Sequence, residues 1–348
     1  MRFYDIAITN PQTNQIVRPA SLASLNLLTT YTSFVNGQSI PGALNVEIDI
    51  DSTAQAQPTG YGYVKIWGVS LQEIAQASDL NNALIVVQGG FQKGLPLANV
   101  AQKGPLVSGY ILQAFGNWVG TDMTLDLVIA GGKGPKGFGS PAQPVNLSLN
   151  WTKGTQLGLA IQNALYTAFP GCSVTVKSSS NLVFNSDQKA VYGSLTALSQ
   201  YAYEISKSII TTEGYQGVSI IPDPAVVNSF IILDGSQPGE IFEINFNDLI
   251  GQPTWFSFGE VSFKCPMRAD LRVGDQFTFP IGNNGQSAIQ SFTTAASSSQ
   301  LRSKSAFQGK FQIQKVRHIG NFRQSSGDSW VTTYEAFAVN NQAVTTTK

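Results

Sequence analysis

The stretch Leu44-Asn45-Val46-Glu47-Ile48-Asp49-Ile50-Asp51 alternates apolar and polar side chains without a break. Successive side chains of a β-strand point to opposite faces of a sheet, so this period of two predicts a strand with one buried face and one wet, acidic face. Shorter patterns of the same kind recur through the first 130 residues, separated by turn residues such as Asn36-Gly37 and Gly89-Gly90. Further strands are predicted at 2–9, 61–67, 83–88, 110–115 and 121–130, and a short helix at 70–77. Short strands with Gly-rich connections predict a small antiparallel barrel or sandwich, which we assign to residues 1–140.

The middle of the chain, residues 141–235, has a different rhythm. Thr155 precedes an apolar stripe with helical spacing that Pro170-Gly171 ends, and Ser194 precedes a second stripe of this kind. Strands are predicted around these two helices at 145–150, 173–176, 182–184, 218–221 and 230–233. The order predicts a compact β-α-β-β-α-β module with one extra strand, which is an α+β insertion.

Residues 236–348 return to strand patterns. Strands are predicted at 241–246, 255–265, 275–280, 311–318 and 330–339. Residues 282–306 are rich in Ser, Gln and Thr, which predicts a flexible loop. Phe115-Gly116-Asn117-Trp118 in the first β region is echoed by Ile319-Gly320-Asn321-Phe322 in the last, so we expect one β unit to be duplicated. The predicted fold class is mainly β, with two antiparallel barrels or sandwiches flanking the α+β module.

Composition narrows the class of protein. The 348 residues contain 21 Lys and Arg against 21 Asp and Glu, and only 12% are charged, about half of the ~25% that is usual. A balanced charge argues against a protein held to DNA by a basic surface. Sparse charge favours a chain that buries much of its surface against partners. Asp5 interrupts any signal-peptide core and no apolar run approaches ~20 residues, so we expect a protein that is made in a reducing cytoplasm and has no membrane span.

Few residues offer catalytic or metal-binding chemistry. Gly132-Lys133-Gly134-Pro135-Lys136-Gly137 fits the dinucleotide pattern, but prolines follow where a helix should begin, so a linker is predicted. His318 is the only histidine, and Cys172 and Cys265 are the only cysteines. We predict two reduced, buried thiols and a histidine that faces a partner or lies in a hairpin. No metal and no cofactor is predicted.

Carboxylates are the remaining candidates. A glycosidase needs a matched pair, and Glu240 with Glu243 or Asp270 with Asp275 stand closest, in no recognisable context. The chain is therefore predicted not to be an enzyme. The ladder Glu47, Asp49 and Asp51 is more unusual, because three acids on one strand face repel one another unless water or cations surround them. Two interpretations stay open, a wet channel wall or an ordinary exposed sheet face.

Several stretches resemble the baseplate hub proteins of contractile-tailed bacteriophages. The resemblance covers most of the chain and is a pattern of strands and turns. It is carried by residues 34–50, 64–69, 248–255, 271–275, 316–320 and 328–333.

This resemblance implies two tail-tube-like barrels per chain and a homotrimeric ring that adapts the six-fold tail tube to the three-fold central spike. It implies a structural protein of the virion, located in the tail baseplate. The expected partners are the tail tube protein, the central spike protein, baseplate wedge proteins and the tape measure protein, with DNA only in transit through the lumen during genome ejection. In such a ring Glu47, Asp49 and Asp51 would face the lumen.

Two alternative functions remain. A phage-associated glycan or peptidoglycan hydrolase would need a cleft with two carboxylates. A carbohydrate-binding β module would need aromatic residues in binding loops, whereas Trp67, Trp118, Trp255 and Trp330 fall in or beside predicted strands.

Overall fold

The computed structural model describes most of the chain. The described residues are 1–22, 28–54, 60–92, 99–131, 146–212, 214–237, 239–257, 259–279, 307 and 309–339. The predicted linker at 132–137 and the predicted flexible loop at 282–306 lie outside them. No helix of the described residues is long and apolar enough to span a membrane.

The first β region contains every strand predicted for it. The stretch 44–51 lies in one strand, with Val46, Ile48 and Ile50 buried and the polar residues between them on the other face. The predicted helix is shorter than expected and begins at a capping box, in which Ser70 and Glu73 bond each other's backbone amides. The elements are β1 (Arg2–Asn10), β2 (Gln15–Ile16), β3 (Tyr31–Thr32), β4 (Phe34–Val35), β5 (Gln38–Ser39), β6 (Asn45–Thr53), β7 (Gly60–Trp67), α1 (Leu71–Ala75), β8 (Leu84–Phe91), β9 (Gly104–Val119) and β10 (Asp122–Gly131).

The middle region has the predicted order of elements, with one strand displaced. Its elements are β11 (Leu147–Trp151), α2 (Leu157–Ala168), β12 (Ser173–Lys177), β13 (Gln188–Tyr192), α3 (Leu195–Ile209), β14 (Ser219–Pro222) and β15 (Ser229–Leu233). The strand predicted at 182–184 is reduced to a single antiparallel bridge between Val183 and Gln156. Leu182 is buried and its carbonyl accepts the amide of Leu157 at 2.8 Å, where α2 begins. The strand lies at 188–192 instead, where it pairs with β11.

The middle region also has its own hydrophobic cluster. β11 and β13 form one antiparallel pair, and β12, β15 and β14 form a second small sheet in which β12 and β15 are parallel. Trp151, Leu157 and Ile161 are fully buried together with Leu198 and Phe230. The boundaries 1–140, 141–235 and 236–348 remain predictions.

The second β region contains β16 (Phe242–Glu243), β17 (Thr254–Ser257), β18 (Glu260–Pro266), β19 (Gln276–Thr278), β20 (Lys310–Asn321) and β21 (Trp330–Val339). The strand predicted at 241–246 shrinks to two residues, because a 3₁₀ turn begins at Phe246. The single strand predicted at 255–265 is a hairpin of β17 and β18, and Gly259 in its turn has a φ of 74°, which glycine adopts readily.

Strands of the two β regions join in one sheet. In its described part, the main path runs β17-β18-β21-β20-β6-β7-β10-β9-β8-β1-β2. The regions meet where β20 pairs antiparallel with β6, from Lys315 opposite Thr53 to Asn321 opposite Glu47. We call this pairing the seam. Trp330 and Met267 of the second region also pack into the hydrophobic cluster of the first.

The strand order supports the predicted duplication. The path β6-β7-β10-β9-β8 in the first region is repeated as β17-β18-β21-β20-β19 in the second. Both repeats carry a bulge in the same strand pair, at Leu112 and at Gln314. Just before each bulge, the carbonyl of Ile111 or Ile313 accepts an amide at 2.8 Å, from Asn82 and Gly274 respectively.

The backbone of these two donors also agrees, because both have a positive φ, 71° at Asn82 and 90° at Gly274. The bulges give a different alignment of the two repeats from the one that the sequence similarity suggested. Phe115 and Arg317 each lie three residues after a bulge and so correspond, whereas the sequence similarity aligned Phe115 with Ile319. The duplicated hairpins therefore correspond two residues away from the register that the sequence suggested.

Candidate functional site: the polar face of the sheet

The three acids of the predicted ladder lie together on β6. Glu47, Asp49 and Asp51 project from the side opposite buried Ile48 and Ile50, as the alternation predicted. β6 stands between β7 and β20, so each acid has cross-strand neighbours on both sides.

Cations of the same chain meet these acids across the seam. Arg317 donates from Nε and from one terminal nitrogen to the two carboxylate oxygens of Asp49, at 2.8 and 2.7 Å. Lys315 lies 3.5 Å from Asp51, and the side-chain amide of Asn321 donates to Glu47 at 3.0 Å. The hydrogen bonds from Arg317 lower the pKa of Asp49, and the bond to Asp49 raises the pKa of Arg317. The mutual repulsion expected of the ladder is therefore relieved by the chain itself.

A fourth acid, Asp126 on β10, belongs to the same face. Its carboxylate accepts hydrogen bonds from the hydroxyl of Tyr63, from Asn117 at 2.7 Å and from Thr124 at 3.0 Å, and Lys65 lies 3.6 Å away. Burial opposes ionisation of Asp126, but these bonds outweigh it and lower the pKa. Burial, together with the bond to Asp126, raises the pKa of Tyr63.

Acids and bases alternate over this surface, which we call the polar face. Its charged residues on the strands from β18 to β10 are Glu47, Asp49, Asp51, Asp122, Asp126, Glu260 and Glu335 against Lys65, Lys264, Lys310, Lys315 and Arg317. Seven acids against five bases leave a face with a small negative net charge. The sequence predicted three acids on the outer side of β6, as observed, but the strand pattern of β6 could not reveal the cations that β20 adds beside them.

His318 is not placed as predicted. It lies inside β20, is 5% exposed, and its Nδ1 stands 2.9 Å from the hydroxyl of Thr332 on β21. Burial lowers the pKa of His318 to about 3, so the imidazole is neutral at physiological pH. A side chain held in this way faces neither a partner nor a hairpin turn.

The two cysteines are buried thiols, as predicted. Cys172 packs in the cluster of the middle region and Cys265 in that of the second β region. Burial raises the pKa of Cys265 to about 12, which leaves it a neutral thiol.

The two acids of the pair Asp270 and Asp275 bind different partners. Asp270 accepts two hydrogen bonds from buried Arg268, at 2.7 and 2.6 Å. Asp275 accepts the backbone amide of Arg272 at 2.8 Å, and burial raises the pKa of Asp275. Glu240 and Glu243 are exposed. Among the described residues, no group of three or more His, Cys, Asp or Glu side chains is arranged to hold a metal ion.

A small cavity lies behind the seam, between the middle region and the two β regions. It has a volume of about 110 Å³ and is lined in part by Pro105, Ile221, Leu233 and Arg272. Sites for small molecules usually offer roughly 300–1,000 Å³, so this space is small for a ligand.

Sequence reasoning missed Lys315 and Arg317. Their spacing in Lys315-Val316-Arg317 has the period of two of a half-buried strand, which was the available signal. Nothing in the sequence states that this strand pairs with β6, more than 260 residues earlier.

Comparison with known proteins supports the fold. No family model matches the chain, and no curated protein matches it by sequence. Among solved structures, the chain is similar to the c3393 protein of E. coli, a component of the type VI secretion system with structural similarity to the T4 bacteriophage tail proteins gp27 and gp5. The identity is 8% and the TM-score 0.50, over 87% of this chain and 76% of the other.

Two further structures match with lower scores. A tail protein from Neisseria meningitidis MC58 is 12% identical with a TM-score of 0.49, over 96% of both chains. A 43 kDa tail protein of prophage MuSo2 from Shewanella oneidensis is 7% identical with a TM-score of 0.47, over 85% of this chain and 97% of the other. The resemblance to hub proteins is confirmed at the level of the fold, and the chain has the mainly β, gp27-like fold of phage tail proteins.

Proposed function

We propose that this chain is a structural, non-enzymatic subunit of a phage tail baseplate hub, made in the bacterial cytoplasm and located in the virion. Three copies form a ring that adapts the six-fold tail tube to the three-fold central spike and lines the channel for DNA. Its partners in this role are the tail tube protein, the central spike protein, wedge proteins and the tape measure protein.

The seam is the observation that carries this proposal. The seam pairs β20 of the second repeat with β6 of the first. These strands occupy different places in the two repeats, since β20 corresponds to β9 and β6 corresponds to β17. The two edges that meet at the seam are therefore unlike. An interface between unlike edges is heterologous, and repeated copies of it generate a closed ring or an open helix. Two repeats per chain and three chains supply six repeats, which matches a six-fold tube.

The same rule leads to a proposal for the contact between subunits. Among the described residues, the two repeats leave the far end of β9 and the short strand β17 each with one unpaired edge. We propose that β17 of one subunit pairs with β9 of the next. Exposed apolar side chains at both places support this assignment. Trp118 and Val119 at the end of β9 are 63% and 75% exposed, and Phe256 on β17 is 53% exposed.

In this ring the polar face lines the channel, and Glu47, Asp49 and Asp51 face the lumen. The face continues across the seam without a break, from β18 to β10. The fold likeness and this continuous face support the assignment.

Native mass spectrometry tests the proposal. We expect a discrete trimer near three times 37.3 kDa. Phe256→Lys places a charge on the free edge of β17, which discourages pairing between edges, so this variant should be a monomer. Val191→Lys, at a valine that is 67% exposed on β13, is the matched control and should remain a trimer.

A wild-type monomer at every concentration, or a trimer that survives Phe256→Lys, would contradict the proposed contact. A monomer that also binds a glycan on an array would favour a carbohydrate-binding module, and hydrolysis of peptidoglycan would favour an enzyme.

A further inference from the structure

Four of the five lysines and arginines of the polar face are held by a carboxylate, and Lys310 at the start of β20 forms no ion pair with the described residues. The pairs are Arg317 with Asp49 at 2.7 Å, Lys264 with Asp328 at 3.1 Å, Lys315 with Asp51 at 3.5 Å and Lys65 with Asp126 at 3.6 Å. The three acids at β6 and β10 come from a different strand from their bases, and Asp328 comes from the turn before β21.

We propose that these carboxylates sequester the cations of the polar face, so that the face does not hold the phosphates of a nucleic acid that slides over it. The biological setting rests on the proposed function, because only a channel lining meets DNA in transit. The surface property itself belongs to the single chain.

Arg317 shows how the sequestration works. A guanidinium binds phosphate through two parallel N–H donors, and Nε with one terminal nitrogen is such a pair. Asp49 occupies both of these donors at 2.8 and 2.7 Å. A phosphate must therefore displace a carboxylate that is bound through both oxygens.

Lys315 and Arg317 stand two residues apart on one face of β20, which places them about 7 Å from each other. Two bare cations at this spacing would form an attachment point for two phosphates. Asp51 and Asp49 cover both of them. The acids thus act by pairing individual bases, which is a different mechanism from a general repulsion by a negative wall.

The test removes the acids and measures DNA binding. The double variant Asp49→Asn with Asp51→Asn removes the carboxylates that pair with Arg317 and Lys315, and it makes the net charge more positive by two. Glu240→Gln with Glu243→Gln is the matched control, because it makes the same change of charge at exposed residues that form no ion pair in the described structure. The probe is a fluorescently labelled 30-base-pair DNA duplex, and binding is read by anisotropy between 50 and 200 mM NaCl.

We expect binding only by the Asp49/Asp51 variant. With two phosphates engaged, its affinity should fall about tenfold between 50 and 200 mM salt, since each phosphate contributes a slope of about 0.9 in log–log form. Adding Lys315→Gln and Arg317→Gln should abolish the gain. If the double variant does not fold, Asp328→Asn frees Lys264 at an exposed pair and should give a weaker gain with half the salt slope.

Equal binding by wild type and variant, no gain in the folded variant, or an equal gain in the Glu240/Glu243 control would each overturn the proposal. Native mass spectra of the same samples separate it from the proposed function. A trimer without the gain rejects sequestration alone, whereas a monomer with the gain rejects the hub alone.

Discussion

The buried imidazole of His318 makes stability depend on pH in a way that one substitution can isolate. Burial lowers its pKa to about 3, whereas an unfolded histidine titrates near 6.5. At acid pH the unfolded chain therefore takes up a proton that the folded chain excludes. The stabilisation is fully present above pH 6.5 and is lost progressively as the pH falls from 6.5 towards 3.

The size of the effect follows from these two values. pH 5 is about 1.5 units below the pKa of the unfolded histidine and still above the pKa of the folded one. Each pH unit in this range changes the unfolding free energy by about 1.36 kcal/mol. The protein should therefore lose about 2 kcal/mol of unfolding free energy between pH 7.5 and pH 5. Because His318 is the only histidine, His318→Gln removes the whole contribution.

Urea unfolding of wild type and His318→Gln at pH 7.5 and pH 5.0, at one protein concentration, measures this difference. The wild type should lose about 2 kcal/mol more than the variant between the two pH values. Asp275 has a raised pKa and works in the opposite sense, but it is present in both proteins and cancels. Equal losses in the two proteins would refute the reasoning, as would a folded-state NMR titration of the imidazole with a midpoint near 6.5.

Three other substitutions test the packing. Gly109→Ala puts a methyl group 1.9 Å from a carbonyl oxygen of β10 and should cost about 3 kcal/mol in urea unfolding, and a loss below about 0.5 kcal/mol would show that the strands yield freely. Arg2→Ala removes donors to four backbone carbonyls of the turn at 321–329 and should cost about 1–2 kcal/mol, with faster amide exchange in β1, whereas unchanged exchange would argue against this tether. Asp270→Asn leaves the buried guanidinium of Arg268 without its main partner and should cost about 3–5 kcal/mol, more than Arg268→Met, which removes the charge, and the opposite ranking would contradict a buried ion pair.

Local alternation was enough to predict most of the strands. β6 lies where the period of two put it, because one of its faces is in a core and the other is partly exposed. The pattern failed at 182–184, where Leu182 is buried by a turn that packs under α2. A short run of apolar residues has the same sequence pattern in a strand and in a buried turn. Tertiary packing decides which of the two forms.

The site was half predictable for a related reason. The acids of β6 share a face because of a local period, which the sequence contains. Their partners on β20 depend on register between distant strands, and a shift of one residue would send Lys315 and Arg317 into the core. The hydrophobic residues around them set that register, so the charge balance of the face is a tertiary property.

The two repeats differ at the edges where the proposed ring would be closed. Counting from the bulges, Gln113 and Phe115 on β9 occupy the places that Lys315 and Arg317 occupy on β20. The seam inside the chain is thus matched by charge, whereas the corresponding free edge carries an amide and an aromatic ring. If a charged edge paired with the apolar one, its charges would lose their partners. This loss disfavours the wrong pairing and so makes the contact specific. In the proposed ring, this difference would favour pairing of β6 with β20 of the same chain and of β17 with β9 of the neighbouring subunit. The two similar repeats of a chain would then always occupy the same order around the ring.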